Sequence, residues 1–230
     1  MGWSAKPEAF PFWNISSEEC LGNADEIYNL LYGEWTLTAI CGMLGNMHSE
    51  SGVNPWCWQN NTVNVHNGYG LVQFTPGQCY INGQGQTKYG YISNTALGIT
   101  GYGEAYAGYS PNMSVTEVSG GNVSDGNAQI LAVNDNAGGK YSSYNRHCDY
   151  ADITSVNTFA DYKQCEDLWV ATVGWLYYYE APQDKSYQVA QTRFTKALAF
   201  WEHFSDDPPV PPRPPKPTNK MPIWMYLRRV

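Results

Sequence analysis

The stretch Trp35-Thr-Leu-Thr-Ala-Ile-Cys-Gly-Met-Leu-Gly-Asn-Met-His-Ser-Glu50 decides the fold of this chain. Leu37, Ile40, Cys41, Leu44 and His48 recur at three- and four-residue intervals, which predicts a helix with one buried face. Ser51-Gly-Val-Asn-Pro55 follows, and its glycine and proline are stop signals. Glu50 therefore falls in the last turn, on the flank of the apolar face near Met43 and Met47. Unpaired carbonyls and the negative helix end surround such a position. Both those dipoles and apolar neighbours favour a carboxyl that keeps its proton, as a general acid requires.

Beyond the helix comes Gly68-Tyr-Gly-Leu-Val-Gln73-Phe-Thr-Pro76. Its two glycines open backbone angles that other residues avoid. Tyr69 is presented on the bend, Leu71 and Phe74 look inward, and Gln73 offers an amide donor and acceptor. A third segment, Trp175-Leu-Tyr-Tyr-Tyr179-Glu180-Ala-Pro182, is an aromatic run closing on a carboxylate and a proline.

Together these segments resemble the phage tail-tip lysozyme family, distant kin of goose-type lysozymes and soluble lytic transglycosylases. The resemblance spans about residues 25 to 204 and is dense at the three segments. It implies an α+β, lysozyme-like fold, mainly helical with a small strand and turn region. It implies cleavage of the β-1,4 bond between MurNAc and GlcNAc in peptidoglycan, with Glu50 as the catalytic acid. Tyr69 and Gln73 would line the saccharide groove, and Tyr179 would pack or hydrogen-bond near Glu50. The family implies no cofactor. Its members sit on the virion tail, so peptidoglycan and phage tail proteins are the implied partners.

Glycosidases often employ two carboxylates. Ser51 through Gly103 contains no Asp or Glu, so any second carboxylate comes from Glu104 onward. Asp125, Asp135, Asp149 and Glu180 are the ones to examine. The acid-free stretch favours a transglycosylase-like route, in which the substrate's own groups capture the cationic carbon, with hydrolysis left open. A non-catalytic wall-binding or structural tail component on the same fold, and a Cys-dependent wall peptidase, are the competing readings. Cys41 lies mid-helix on the apolar face, which reads as a buried thiol rather than a nucleophile.

Around these segments the chain divides into a catalytic domain at 1–204, a Pro-rich linker at 205–220 and a short apolar and basic tail at 221–230. Residues 1–24 read as an irregular arm, Ala24 to Tyr32 as a helix, and 51–163 as strands, turns and short helices. Tyr162 to Ala181 and Asp184 to Phe204 read as two more helices. With 230 residues the chain can bury one sizeable core. Its 18 Tyr and 9 Trp serve either as core packing or as stacking faces for sugar rings.

Charge and spacing exclude several classes. The net charge is −8, and residues 205–230 carry +3, leaving −11 on the body. An acidic body argues against nucleic acid. No run of about 18 apolar residues exists, so no membrane span is expected. The first residues lack a basic and apolar leader, so no signal peptide is expected. His48, His66 and His147 have no zinc-type ligand spacing, so no metal is expected. Of the six cysteines, Cys57 and Cys79 bracket the turn and are the pair assigned to a bridge.

Overall fold

The computed structural model describes residues 2–4, 16–55, 57, 59, 62–63, 68, 70–74, 113–114, 124–136, 140–142 and 147–205. Tyr69, Cys79, His66 and the Pro-rich and tail segments lie outside them.

Helix α1 spans Ser17–Leu31 and starts well before the position expected from the sequence. Ser16 and Glu19 form a reciprocal capping box, and Glu18 and Glu19 occupy the first turn, where the helix dipole favours negative charge. The arm therefore gives way to helix earlier than the apolar pattern alone suggests. Helix α2, Leu37–Ser51, is the acid helix. Thr36 caps it by accepting the Ala39 amide at 3.1 Å, while its own hydroxyl donates to the Cys165 carbonyl at 2.5 Å. Gly52, at φ 65°, closes it in the left-handed conformation.

The expected single buried face of α2 is an underestimate. Every residue from Thr38 to Met47 is buried, while Leu37 at the start and His48, Ser49 and Glu50 near the end are partly exposed. A helix enclosed on all sides is a core element, and two glycines let its neighbours close in. A Cβ on Gly42 would lie 2.7 Å from the Cβ of Ala171, and one on Gly45 would lie 2.5 Å from the Arg193 carbonyl oxygen.

Those neighbours are α5 (Leu168–Trp175) and α6 (Tyr187–Phe204), which follow α3 (Ser124–Asn134) and α4 (Phe159–Lys163) along the chain. A 3₁₀ turn at Thr154–Val156 precedes α4. The single periodic segment read over Tyr162 to Ala181 is thus broken between α4 and α5, where Asp167 caps the new helix by accepting the Val170 amide. Helix α5 then runs into a π-helical turn at Leu176–Glu180, which Ala181 ends at φ 48°.

The described part of the chain is mainly helical. Its strand content is β1 (Thr62–Val63) paired antiparallel with β2 (Met113–Ser114). No helix among the described residues is long and apolar enough to cross a membrane.

Many of the aromatics are core. Trp35, Tyr141, Tyr162, Trp175 and Tyr178 form one contiguous group, with ring centroids 5.1 Å apart between Tyr162 and Trp175. Their hydroxyls are spent on backbone: Tyr162 donates to Ala39, Tyr178 to Ile153 and Tyr141 to Val156. These rings are unavailable to sugars.

Candidate active site

The site forms where α2 leaves the core. Ser51, the residue after Glu50, donates from its hydroxyl to the Leu71 carbonyl at 2.9 Å. Gln129 of α3 accepts the Leu71 amide and donates to the Pro55 carbonyl, each at 2.7 Å. The Gly-rich turn is thereby fastened to the end of the acid helix by two buried side chains. Gly70, at φ 78°, is required there because a side chain would run into the Gln129 amide. The Gly70 amide donates to the Cys57 carbonyl at 2.8 Å, and the Gln73 amide group donates to both Cys57 and Gly70 carbonyls at 3.1 Å.

Glu50 itself is held from a third side. Its Oε1 accepts from Nη2 of Arg193 at 2.6 Å, with side-chain exposures of 23% for the acid and 9% for the arginine. Nη1 of Arg193 also reaches the backbone and side-chain oxygens of Asn46 at 3.3 Å. Asn46 is itself pinned, donating to the Gly42 carbonyl at 2.8 Å and the Thr172 carbonyl at 3.1 Å. The sequence pattern predicts an apolar environment for Glu50, and Met43 and Met47 are buried on the same helix. The dominant charged neighbour is a cation that the sequence reading missed. The missed signal is the position of Arg193 on the buried stripe of α6, between Ala190 and Ala197. A charge on an apolar stripe needs a buried counter-charge.

Among the carboxylates to examine, Glu180 feels the negative charge of Glu50. It ends the π turn and accepts from Trp175 Nε1 at 3.0 Å. Burial, reinforced by the negative charge of Glu50, pushes its carboxyl up to about 7, while Lys140 and Arg193 pull the other way. Asp149 is exposed and paired with His147 at 3.0 Å, and Asp135 sits on the exposed end of α3. The side chain of Asp125 is outside the described part.

Tyr179 is buried, stacked on Trp175 with centroids 4.0 Å apart. Lys140 lies 4.6 Å from its ring centre, and the same ammonium donates to the Val72 carbonyl at 3.2 Å. Burial holds the Lys140 ammonium below the usual lysine range, against the pull of Glu180 and Glu50. Lys140 thus touches the turn and the Tyr179 ring, and its charge acts on Glu180 and Glu50; no motif in the sequence marks it.

The description "phage tail lysozyme" matches residues 22–204. The chain belongs to the phage tail lysozyme family. A curated relative, Morphogenesis protein 1 of Bacillus phage B103, is 51% identical over 70 residues, 30% of this chain. The match covers 19% of that relative's length. In this phage tail lysozyme domain, the matched span ends with the last residue of α6.

Thiol chemistry has no support at the helix. Cys41 is fully buried, and burial holds its thiol far above the ordinary range. Among the described residues, no group of three or more His, Cys, Asp or Glu is placed to hold a metal.

Proposed function

We propose that this chain is a peptidoglycan-cleaving glycosidase that cuts the β-1,4 bond between MurNAc and GlcNAc, with Glu50 as the proton donor. The observation that carries the reading is the emergence of Glu50 at the solvent end of a core helix, one residue from a side chain that anchors the glycine-rich turn. A rigid acid beside a rigid, partly polar loop is what differential stabilisation of a distorted sugar requires.

Glu50 gives its proton to the glycosidic oxygen as the bond to the anomeric carbon breaks. The departing sugar leaves as a neutral alcohol, and an oxocarbenium-like centre develops behind it. Either water adds to that carbon or the muramyl C6 hydroxyl closes on it. In both cases the nucleophile surrenders a proton, which restores the acid. The substrate-assisted route is favoured, because no Asp or Glu lies between Ser51 and Gly103.

Tyr69 and Gln73 face the glycan in this reading, and Tyr179 supports the acid from behind through Lys140. The reaction needs no cofactor. The α+β lysozyme-like architecture, the domain split at 204/205 and the C-terminal tail as a dock for tail proteins belong to the same proposal. So does a place on the virion tail, acting on the wall of the bacterial host.

Muropeptide mass spectrometry of purified walls tests the reaction. Fragments ending in 1,6-anhydro-muramyl groups, one water lighter than hydrolysed ends, are expected. Reducing muramyl ends alone would make the enzyme a hydrolase and put the search on a water site. Intact glycan strands would reject glycosidase activity altogether.

A further inference from the structure

Two successive residues beyond the acid helix are left-handed, Gly52 at φ 65° and Val53 at φ 62°. The first costs little, because glycine has no Cβ. The second is a genuine outlier: a β-branched residue avoids this region and stays there only where its surroundings hold it. Asn23 of α1 does the holding. Its buried Nδ2 donates to the Val53 carbonyl at 2.8 Å.

Asn23 is itself set from the N-terminal side. The Ser4 amide donates to its Oδ1 at 2.7 Å, and its Nδ2 donates back to the Ser4 carbonyl at 2.8 Å. Trp3, next to Ser4, is buried. Its indole Nε1 donates to Oδ1 of Asn127 on α3 at 2.8 Å. Its ring lies over Gly126 of the same helix, where a Cβ would come within 2.3 Å of it. Helix α3 also carries Gln129, which fastens the Pro55 carbonyl. The Ser51–Pro55 segment is thus held at Val53 from α1 and at Pro55 from α3, and residues 2–4 are bonded to both helices.

We infer that Trp3, Ser4 and Asn23 are positioning residues for the reaction: residues 2–4 latch α1 to α3, and through Asn23 they keep Val53 in the strained form that sets Glu50 in register with the glycine-rich turn. The inference rests on Glu50 being the proton donor, and deepens that reading.

Glu50 stands three residues before Val53, at the partly exposed end of α2. Released from Asn23, Val53 relaxes out of the left-handed region and redirects the chain between Gly52 and Pro55. That movement pulls on Ser51, whose hydroxyl reaches Leu71. The turn keeps its own tie to α3, through the Leu71 amide and Gln129. Loss of the latch therefore falls on the placement of the acid more than on the hold on sugar, which separates kcat from KM. A misplacement of about 1 Å at the chemistry is enough to cost about a hundredfold.

The full-length wild type is compared with Trp3→Ala, Trp3→Phe and Ser4→Pro. Trp3→Phe refills the seat on α3, and Ser4→Pro deletes the amide donor to Asn23 while leaving Trp3 in place. Turnover of soluble, uncrosslinked peptidoglycan strands is measured well below each melting midpoint, and backbone hydrogen exchange is followed by mass spectrometry on the same preparations. Trp3→Ala and Ser4→Pro should lower kcat by about tenfold or more with KM within a few-fold of wild type. Trp3→Phe should recover most of the loss. Exchange should quicken over residues 51–55, where the Asn54 amide donates to the Ser51 carbonyl at 3.1 Å, while α5 stays protected.

If Trp3→Ala does not fold, Ser4→Pro decides by the same two readouts. Unchanged exchange over 51–55 in a folded variant, or unchanged kcat per folded molecule, overturns the inference and leaves residues 2–4 as packing only. Glu50→Gln is run in parallel. Wild-type turnover there removes the acid assignment and the catalytic role of the latch with it, an outcome told apart from failure of the latch itself by the exchange data, which do not depend on the chemistry.

Discussion

The hydroxyl of Ser51 donates to the carbonyl of Leu71 at 2.9 Å, and this bond ties the end of the acid helix to the glycine-rich turn. The same hydroxyl lies 3.2 Å from the Met47 carbonyl one turn back. A serine next to the acid is therefore a coupling element. Its partner on the far side of the turn is Gln129, which satisfies one donor and one acceptor at once.

Ser51→Ala should destabilise the protein by about 1–3 kcal/mol, the cost of leaving a buried carbonyl unsatisfied. Gln129→Leu should cost at least as much, because it orphans both the Leu71 amide and the Pro55 carbonyl. Urea denaturation followed by tryptophan fluorescence reads both values. A change below a few tenths of a kcal/mol would show that the turn is not tied down this way.

Gly45→Ala tests the close approach of α2 and α6. The added methyl would press on the Arg193 carbonyl and on the amide nitrogen of Ala197 at 2.7 Å, both backbone atoms. Overpacking of this kind costs about 1–3 kcal/mol. Thermal melting should show a lowered midpoint, and wall-lytic activity should fall because Arg193 is displaced from Glu50. Wild-type melting and activity together would contradict the packing account.

The stability of the fold should depend on pH through Glu180. Burial pushes its folded carboxyl up to about 7, above the 4.5 ordinary for a glutamate in an unfolded chain. Between those values the folded state binds more protons than the unfolded one, so stability falls as pH rises from about 4.5 to 7. Below that window the penalty is absent, and above it the penalty is complete. Glu180→Gln should flatten this slope in denaturation curves collected across the window. A slope that persists unchanged in the variant would assign it to another group.

Deleting residues 206–230 should leave activity on soluble glycan fragments intact, since α6 ends at Phe204 and the family match stops at 204. Retention on virions or whole cells should weaken if the tail is a dock. Collapse of the soluble activity would mean that the segment packs on the catalytic body and that the boundary at 204/205 is misplaced.

The sequence was most legible where chemistry and local structure coincide. Glu50 at a helix end follows from the apolar spacing of α2 and from Gly52. The break between α4 and α5 was not legible, because Tyr162, Leu168 and Val173 keep an apolar rhythm across it. The early start of α1 was hidden for the opposite reason. Its first turn is fixed by the Ser16 and Glu19 cap, and only three of its first eight residues, Cys20, Asn23 and Ala24, are buried.

Arg193, Gln129 and Lys140 escaped because their roles are tertiary. Each lies more than 50 residues from its hydrogen-bond partner at the helix end or the turn, as with the separation of 143 between Arg193 and Glu50. The contacts of Tyr179 are with Trp175 and Lys140, and the Gln73 amide donates to the turn's own carbonyls. Tyr69 and the Cys57–Cys79 pairing lie wholly or partly outside the described residues.

The most direct measurement is turnover by Glu50→Gln on purified cell walls, with wall binding assayed on the same preparation. The exchange keeps size and removes the transferable proton. General acid catalysis is worth about a hundredfold or more, so turnover should drop by at least that factor while folding and wall binding persist. Turnover within a few-fold of wild type would contradict the account.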